Sequence, residues 1–439
     1  MQSIHQALES SYRVIQLSDL RTHEGRVSKI IGMTVEATGL ESSIGDICTI
    51  LIDRDATEVI SEVEGIVDNK VYLMPFQNVD GIGHGCSVTT EGQKLEISVC
   101  NEMIGRAVDP LGRPIDGGPP LPPGEKISIN GNPENPMERP PITDVIELGV
   151  RAIDGLMTIG KGQRMGIFAG SGVGKSTLMG MIARNVRADV NVIALVGERG
   201  REVVEFIQRD LGAEGNARSV VVVATSDQPA LMRLKCAQTA TAVAEYFQRQ
   251  GKDVLLMMDS LTRFCMAQRE IGLATGEAPV ARGYTPSIYS ALPKLLERSG
   301  NFKTGSITGI YTVLVEGDDT NEPIADTVRS IIDGHIILSR KIAAKNHCPA
   351  IDVSNSVSRL MSGIAEKDHK DAANQLRNML AVYKENEDLI SIGAYKTGSN
   401  PELDNAIAHM KRIDQFLIQR VDEPCHFDQT VGMLEETVQ

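Results

Sequence analysis

A glycine-rich loop between a strand and a helix constrains this chain more than any other feature. Residues 169–176, "AGSGVGKS", follow the apolar stretch "RMGIF" and precede the helical pattern "TLMGMIARNV". Gly170, Gly172 and Gly174 let main-chain amides turn inward around an anion, and the positive end of the next helix points at the same place. The order strand, loop, helix therefore predicts a phosphate-binding loop in an α/β domain.

The side chains of the loop indicate how it would hold a nucleotide. Lys175 is expected to reach the β- and γ-phosphates of ATP, and Ser176 offers a hydroxyl to Mg²⁺. Ala169 stands where such loops usually have their first glycine. ATP and Mg²⁺ are the predicted cofactors, and the predicted nucleotide-binding segment comprises Gly170, Ser171, Gly172, Val173, Gly174, Lys175, Ser176 and Thr177.

Two apolar strands end in acidic residues that such a loop requires. "KDVLLMMDS" contains Asp259, which would hold Mg²⁺ through water, and "VNVIALVGERGREVVEF" places Glu198 just after a strand. The carboxyl ends of parallel strands open onto the nucleotide crevice, so Glu198 is the predicted general base. Structural alternatives stay open: Asp259 could cap a helix, and Glu198 could belong to a surface cluster of salt bridges.

Two arginines lie close to these acids in the sequence. Arg199 follows Glu198 directly and would orient that base or contact a phosphate oxygen. Arg263, four residues after Asp259, would sense the γ-phosphate. An ion pair at the edge of the core explains Arg263 equally well on sequence grounds.

Changes of pattern along the chain predict a multidomain α/β protein. A helical segment is expected over 1–23, a small β-barrel over 24–100, an α/β core over 101–360 and a helical domain over 361–439. Apolar runs alternate with helical stretches from about 145 to 360, which predicts a mostly parallel sheet. Residues 109–141 are rich in Pro and Gly and are expected to form an extended connector.

Composition and charge argue against several classes of protein. The net charge of −14 disfavours a general nucleic-acid binder, and residues 24–100 contain only Tyr72 and Phe76 as aromatic residues that could stack on bases. The seven cysteines, at 48, 86, 100, 236, 265, 348 and 425, lack the spacing of a zinc site and indicate reduced thiols. The N-terminus does not resemble a signal peptide, and no apolar run is long enough to span a membrane. We therefore expect a cytoplasmic protein that binds no nucleic acid.

Further motifs accompany the loop: "ALVGERGREV", "VLLMMDSLTRF", "QREIGLATGEAP", "GSITGIYTVLVEGDD" and "PAIDVSNSVSR". Together with "AGSGVGKST" they resemble the export ATPases of bacterial flagella and type III secretion systems, relatives of the catalytic subunit of rotary F-type ATPases. The resemblance runs from about residue 24 to the C-terminus. It implies an N-terminal β-barrel that holds subunits together, a RecA-like P-loop ATPase core and a C-terminal α-helical domain.

The same resemblance implies a homohexamer with active sites between subunits. "NSVSR" matches the family's arginine-finger segment, so Arg359 would enter the site of the neighbouring subunit; an ion pair at a helix start is the alternative. In "NHCPAID" this chain has Cys348 where the family usually has an aromatic ring against adenine. A cysteine offers less apolar surface and no stacking, which affects the adenine pocket and leaves the phosphate chemistry untouched.

The family resemblance also implies partners and a place in the cell. These are stator and central-stalk proteins, chaperone–substrate complexes and the export gate at the inner membrane, with the ring at the cytoplasmic face of that membrane. Hydrolysis would energise export and help to release substrates from chaperones. The segment "ENEDLISIGAYKTGSNPELDNAI" over 385–407 looks closer to the flagellar branch than to the virulence injectisome.

Three other functions compete with an export ATPase. A catalytic subunit of a rotary F- or V-type ATPase would share the fold, but the C-terminal helices lack the acidic run expected there. A Rho-like RNA translocase would need a nucleic-acid-binding face, which the N-terminal strands do not offer. A scaffold that binds ATP without turnover has no need of Glu198, Asp259 and Arg359.

Overall fold

The computed structural model describes residues 23–52, 57–315 and 322–439. The helical segment predicted over 1–23 lies outside these residues, except for His23 at the start of the first strand. The chain divides into two compact units, of which the first contains a β-barrel and the second a large sheet with the C-terminal helices.

The barrel is closed by antiparallel strands in the order β1-β2-β5-β4-β3-β6. Their bounds are β1 His23–Ile31, β2 Thr34–Thr38, β3 Asp46–Ile52, β4 Thr57–Val67, β5 Lys70–Pro75 and β6 Ser87–Lys94. Along β3, Cys48, Ile50 and Ile52 are buried and alternate with more accessible residues, as the two-residue period of a strand requires. The predicted N-terminal barrel is confirmed.

The last part of the span predicted for the barrel, 24–100, does not belong to it. β7 (Glu96–Val99) pairs with β9 (Glu125–Ser128), which lies within the breaker-rich stretch 109–141. β8 (Ala107–Val108) lies between them in sequence and pairs with the large sheet. The barrel therefore ends at Lys94, and β7 belongs to the second unit, because its pairing partner comes from the connector.

The large sheet has the order β19-β18-β12-β17-β15-β13-β14-β8, with β16 paired to β17. All neighbours are parallel except β19 and β16, which run antiparallel at their contacts. A short pair, β10 (Val145–Ile146) and β11 (Ile159–Gly160), lies apart from it. The strand bounds are β12 Arg164–Ala169, β13 Val190–Glu198, β14 Ser219–Thr225, β15 Asp253–Asp259, β16 Gly300–Asn301, β17 Ser306–Leu314, β18 Gly334–Leu338 and β19 Val357–Ser358.

Helices cover this sheet and continue to the C-terminus. Every residue of β13 is buried, as expected for a parallel strand covered on both faces. The helices are α1 Arg151–Leu156, α2 Lys175–Asn185, α3 Gly200–Glu205, α4 Gly212–Asn216, α5 Ala230–Arg249, α6 Leu261–Ala274, α7 Pro286–Leu296, α8 Pro323–Ile331, α9 Arg340–Ala344, α10 Met361–Ile364, α11 Lys367–Glu385, α12 Glu387–Ser391, α13 Pro401–Leu417 and α14 Phe427–Val438. The predicted α/β core with a mostly parallel sheet and the helical C-terminal region are confirmed.

The C-terminal helices share one hydrophobic core with the α/β sheet. Leu376 of α11, Phe416 of α13 and Leu434 of α14 belong to the same buried cluster as Ile153 and Leu156 of α1. The helical region is thus fixed to the layer that carries the phosphate loop. Within the described ranges, no helix is both long and apolar enough to cross a bilayer.

Candidate active site

The glycine-rich loop lies between β12 and α2, at the carboxyl edge of the sheet. Gly174 is the N-cap of α2 with φ 86°, and Gly172 has φ 78°, a region that favours glycine. In the part of the chain that the structure describes, no side chain caps the start of α2. The amides of its first turn are therefore available to an anion in front of the loop, as the sequence predicts.

A cavity of 610 Å³ opens directly in front of this loop. Seven of the eight predicted nucleotide-binding residues line it: Gly170, Ser171, Gly172, Gly174, Lys175, Ser176 and Thr177. Val173 does not, since its side chain is buried in the core beneath the loop. The volume lies within the range of about 300–1,000 Å³ that suits a small-molecule ligand.

Asp259 ends β15 and is almost fully buried. Its Oδ1 atom accepts a hydrogen bond from Thr312 Oγ1 on β17 at 2.7 Å and contacts the Lys175 ammonium. β15 and β17 are direct neighbours in the sheet, which brings the threonine to the acid. Asp259 is therefore bound to the phosphate loop and to the adjacent strand, rather than to the start of α6.

Glu198 ends β13 and points into the cavity. The pairing of β13 with β14 is shifted by a bulge between Val196 and Glu198, where Gly197 has φ 68°. Such bulges re-aim the following side chain. Oε1 of Glu198 lies 3.8 Å from the Lys175 ammonium, so the predicted base and the predicted phosphate ligand meet.

The surroundings of Glu198 favour its protonated form. Burial and the charge of Asp259 raise the pKa of Glu198 from the usual 4.5 to about 7, with a further contribution from a hydrogen bond to the Glu202 carboxylate. The same hydrogen bond lowers the pKa of Glu202. A carboxyl group with a pKa near neutrality suits a general base that works at physiological pH. A surface cluster does not describe Glu198, which is only 8% exposed.

The two arginines that flank these acids behave differently. Arg263 on α6 contacts the carbonyl oxygen of Gly197, and its Nη2 atom lies 3.3 Å from Oε2 of Glu198. Arg263 therefore holds both the bulge and the base. Arg199 lines the cavity but pairs with Glu202 at 3.4 Å, and its side chain is 77% exposed.

Two predicted site residues lie away from the cavity. Arg359 is exposed at the end of β19; its main-chain amide donates to the Asp333 carbonyl at 3.0 Å and its Nη2 atom to the Arg329 carbonyl at 3.3 Å. Cys348 is exposed in the loop after α9, and its carbonyl accepts from the amide of Gln419 at 2.9 Å. The structure does not bring either side chain into the cavity of the same chain.

Several cavity residues were not predicted from the sequence. Glu202 comes four residues after Glu198, in the sequence "GERGREV", and this short separation is a signal that the sequence offers. The others come from separate parts of the chain and had no local signal: Arg209, Thr262, Met266, Leu314, Val315, Glu322 and Arg340. Arg209 lies in a π-helical turn, Phe206–Leu211, a distortion often found at functional sites.

The parallel sheet, the phosphate loop and the two acids around Lys175 define a P-loop ATPase of the ATP synthase type. Models of the ATP synthase alpha/beta family match the chain over 149–358 for the nucleotide-binding domain and 27–92 for the β-barrel domain. The model of the T3SS EscN ATPase C-terminal domain matches 365–436.

Known proteins narrow this class further. The flagellum-specific ATP synthase of Bacillus subtilis (strain 168) is 54% identical over 96% of this chain and 96% of its own length. The type 3 secretion system ATPase of Xanthomonas euvesicatoria is 49% identical over 93% of each chain. The assembled ATPase EscN of enteropathogenic E. coli, solved in complex with its central stalk EscO, has a TM-score of 0.88 and 45% identity over 94% of this chain and 100% of that one. The chain belongs to the family of flagellum-specific and type III secretion ATPases, and it is an ATPase.

Proposed function

We propose that this ATPase works as a homohexameric ring that energises protein export through the flagellar type III apparatus. This proposal is based on one observation: the predicted catalytic residues lie in two separate places on the chain. Lys175, Glu198 and Asp259 meet at one cavity, whereas Arg359 is exposed outside it. An arginine placed in this way is available to a neighbouring copy of the chain.

Each group at the cavity has a chemical role in this proposal. The loop amides and Lys175 bind the phosphates, and Glu198 accepts a proton from the attacking water. Arg263 keeps Glu198 oriented, and Arg199 is able to reach a phosphate oxygen. Positive charge around the transferred phosphoryl group stabilises the transition state.

The residues present fit a hydrated Mg²⁺. Ser176 lines the cavity and Asp259 is held beside Lys175, which gives one hydroxyl and one carboxylate. Among the described residues there is no group of three or more His, Cys, Asp or Glu that could hold a metal. This pattern agrees with Mg²⁺, which usually keeps several waters and binds through one or two protein oxygens and the substrate phosphates. The ion would neutralise charge on the β- and γ-phosphates.

One comparison and one chemical argument support a ring. The EscN relative is described as assembled and as bound to a central stalk. In addition, an arginine supplied by a neighbour is worth roughly 10³–10⁵ in rate for related phosphoryl transfers. We propose the same arrangement here, with Arg359 as the finger and with central-stalk and stator proteins as partners.

The flagellar assignment rests on similarity and on one segment. The relative named as flagellum-specific is 54% identical and the one named for type 3 secretion 49%, over nearly the same span. Residues 385–407 also favour the flagellar branch. Release of substrates from chaperones and docking at the export gate of the inner membrane, from its cytoplasmic side, are part of the same proposal.

Mixing two inactive variants tests whether the sites form between subunits. A Lys175→Ala subunit has an inactive site but keeps Arg359. An Arg359→Ala subunit keeps its own site but cannot supply the arginine finger to its neighbour. Random mixing places a good finger beside a good site at about one interface in four, so about a quarter of wild-type turnover is expected. Two variants that stay inactive when mixed, although mixed rings are seen by mass, would contradict the proposal.

The flagellar assignment has its own test. Expression of this chain in Bacillus subtilis lacking its flagellum-specific ATP synthase should restore swimming, and the Glu198→Gln variant should not. A strain that makes active chain but no flagella would favour the injectisome alternative. The same experiment in a type III secretion host would then show secretion.

A further inference from the structure

Arg377 on α11 connects the C-terminal helices with the segment that ends in Arg359. Its Nη1 atom donates to the carbonyl oxygens of Val353 at 2.7 Å and Ser356 at 3.2 Å. Its Nη2 atom donates to the carbonyl oxygen of Leu156, at the end of α1, at 2.7 Å. One guanidinium group thus joins three parts of the fold.

Residues 353–359, here called the finger segment, have little regular structure of their own. A single 3₁₀ turn covers Val353–Asn355, and β19 adds two residues before Arg359. Ser356 stands between the two, and its hydroxyl accepts from the Ile337 amide at 2.9 Å. Arg377 therefore binds the finger segment at two places, at Val353 and at Ser356, three residues before Arg359.

Among the described residues, the guanidinium group of Arg377 bonds to main-chain carbonyl groups, as that of Arg218 also does. Burial lowers the pKa of its guanidinium group, and all three of its hydrogen bonds go to neutral main-chain carbonyl oxygens. Burying a cation without a carboxylate partner is costly, and an apolar side chain would fill the space without that cost. The planar fork of an arginine is, however, the side chain that can hold several carbonyl groups in a fixed relation.

We propose that Arg377 is a positioning residue that sets the direction in which Arg359 leaves its own subunit. This inference rests on the proposed role of Arg359 as a finger in trans. Misplacing a catalytic group by about 1 Å can cost about 10²-fold in rate, so a rigid hold on the finger segment matters for turnover. It also gives helix α11 direct control over the site of the next subunit.

Other contacts keep the finger segment attached when Arg377 is changed. Ser358 Oγ donates to the Thr158 carbonyl at 2.8 Å and accepts from Gln163 Nε2 at 3.0 Å. β19 pairs with β18, and the amide of Arg359 donates to Asp333. A variant of Arg377 should therefore fold and assemble but present the finger poorly.

The mixing assay separates this role from a general structural one. Arg377→Met keeps the side-chain stem and removes the donors. In this assay the Lys175→Ala subunit donates the finger, and the Arg359→Ala subunit provides the site. Adding Arg377→Met to the donor should lower the turnover of the mixture at least about tenfold. In the reverse mixture, the Arg377→Met subunit provides the site and the Lys175→Ala subunit donates the finger. Turnover should then rise on mixing as much as it does for Arg359→Ala subunits, and the KM for ATP should not change.

Two further variants complete the experiment. Arg377→Lys keeps the charge but not the fork, so it should be an intermediate donor. Arg412→Met, at an exposed arginine on α13, should be a normal one. The inference is overturned if Lys175→Ala donors support the same turnover with and without Arg377→Met. It is also overturned if Arg377→Met lowers turnover equally in the donor and in the subunit that provides the site. If Lys175→Ala and Arg359→Ala subunits do not complement at all, the finger in trans is wrong, and that result is separate from the role of Arg377.

Discussion

Glu198 and Asp259 both contact the ammonium group of Lys175. Asp259 Oδ1 bonds to it directly, and Glu198 Oε1 lies 3.8 Å away. The two acids come from the carboxyl ends of β13 and β15, which are adjacent parallel strands. Burial and the charge of Asp259 raise the pKa of Glu198 to about 7, and the charge of Lys175 acts against them.

Replacing Glu198 with Gln should abolish turnover and leave nucleotide binding intact. The amide has a similar shape but cannot accept the proton of the attacking water, and general base catalysis contributes about 10²–10⁴-fold. Steady-state ATPase assays and nucleotide titrations measure the two effects. Glu205→Gln is the control, because Glu205 pairs with Arg201 on the surface. Turnover near the wild-type rate in Glu198→Gln would rule out its role as the base.

The rate should depend on pH around neutrality. Because the pKa of Glu198 is raised to about 7, the base is protonated below that pH, and kcat/KM should rise as pH increases through about 7. For the same reason, the contribution of Glu198 to the free energy of unfolding should fall as pH rises from 4.5 to about 7.

Glu202→Gln tests one of the causes of this pH dependence, after burial and the charge of Asp259. It removes the charged acceptor that stabilises the protonated form of Glu198, so the midpoint of the kcat/KM profile should move to lower pH. Profiles of both proteins over the same buffers give the comparison. An unchanged midpoint would show that Glu202 does not set the pKa of the base.

Thr312→Val should weaken the response to Mg²⁺. The hydroxyl donates to Asp259 Oδ1, and the loss of such an orienting partner typically costs about 10- to 100-fold in metal affinity. The Mg²⁺ concentration for half-maximal turnover should therefore rise. Thr241→Val is the control, a buried threonine on α5 whose hydroxyl donates to the Ala237 carbonyl. Equal Mg²⁺ responses in all three proteins would contradict a metal role for Asp259.

Cys348 lies outside the cavity of its own chain, so Cys348→Tyr tests the contact with adenine that the family resemblance implies. With that contact, the tyrosine should strengthen binding of ATP. An aromatic ring stacked on a base is worth about 1–3 kcal/mol, or about fivefold or more in Kd. Tripolyphosphate has no base, so its affinity should stay the same, and Cys348→Ser should resemble the natural chain. Equal gains for both ligands would place the effect on the phosphates instead.

The phosphate loop and its acids could be predicted because each lies beside the end of its own strand. Gly170 to Thr177, Glu198 and Asp259 carry their signal in short local patterns. The pKa of Glu198 could not be predicted, since it depends on burial and on the distance to Asp259. The bulge at Gly197 was likewise not visible in a run of apolar residues.

Site residues that are brought together only by the order of strands in the sheet could not be predicted from the sequence. Thr312 reaches Asp259 across 53 positions only because β17 lies beside β15. Arg340 reaches the cavity because β18 pairs with β12, so that its end lies next to the phosphate loop. The barrel span predicted from the sequence includes β7 for the same reason: the strand is visible locally, and its pairing with β9 is not.

Turnover per subunit as a function of protein concentration tests the central claim most directly. The mass of the assembly should be measured over the same range of protein concentration. Arg359→Ala is the control, because it should assemble without activity. The account predicts a low rate for the monomer and a steep rise as rings form, because each site needs the arginine of a neighbour. A substantial and constant rate down to concentrations at which the protein is monomeric would contradict it, since each chain would then complete its own site.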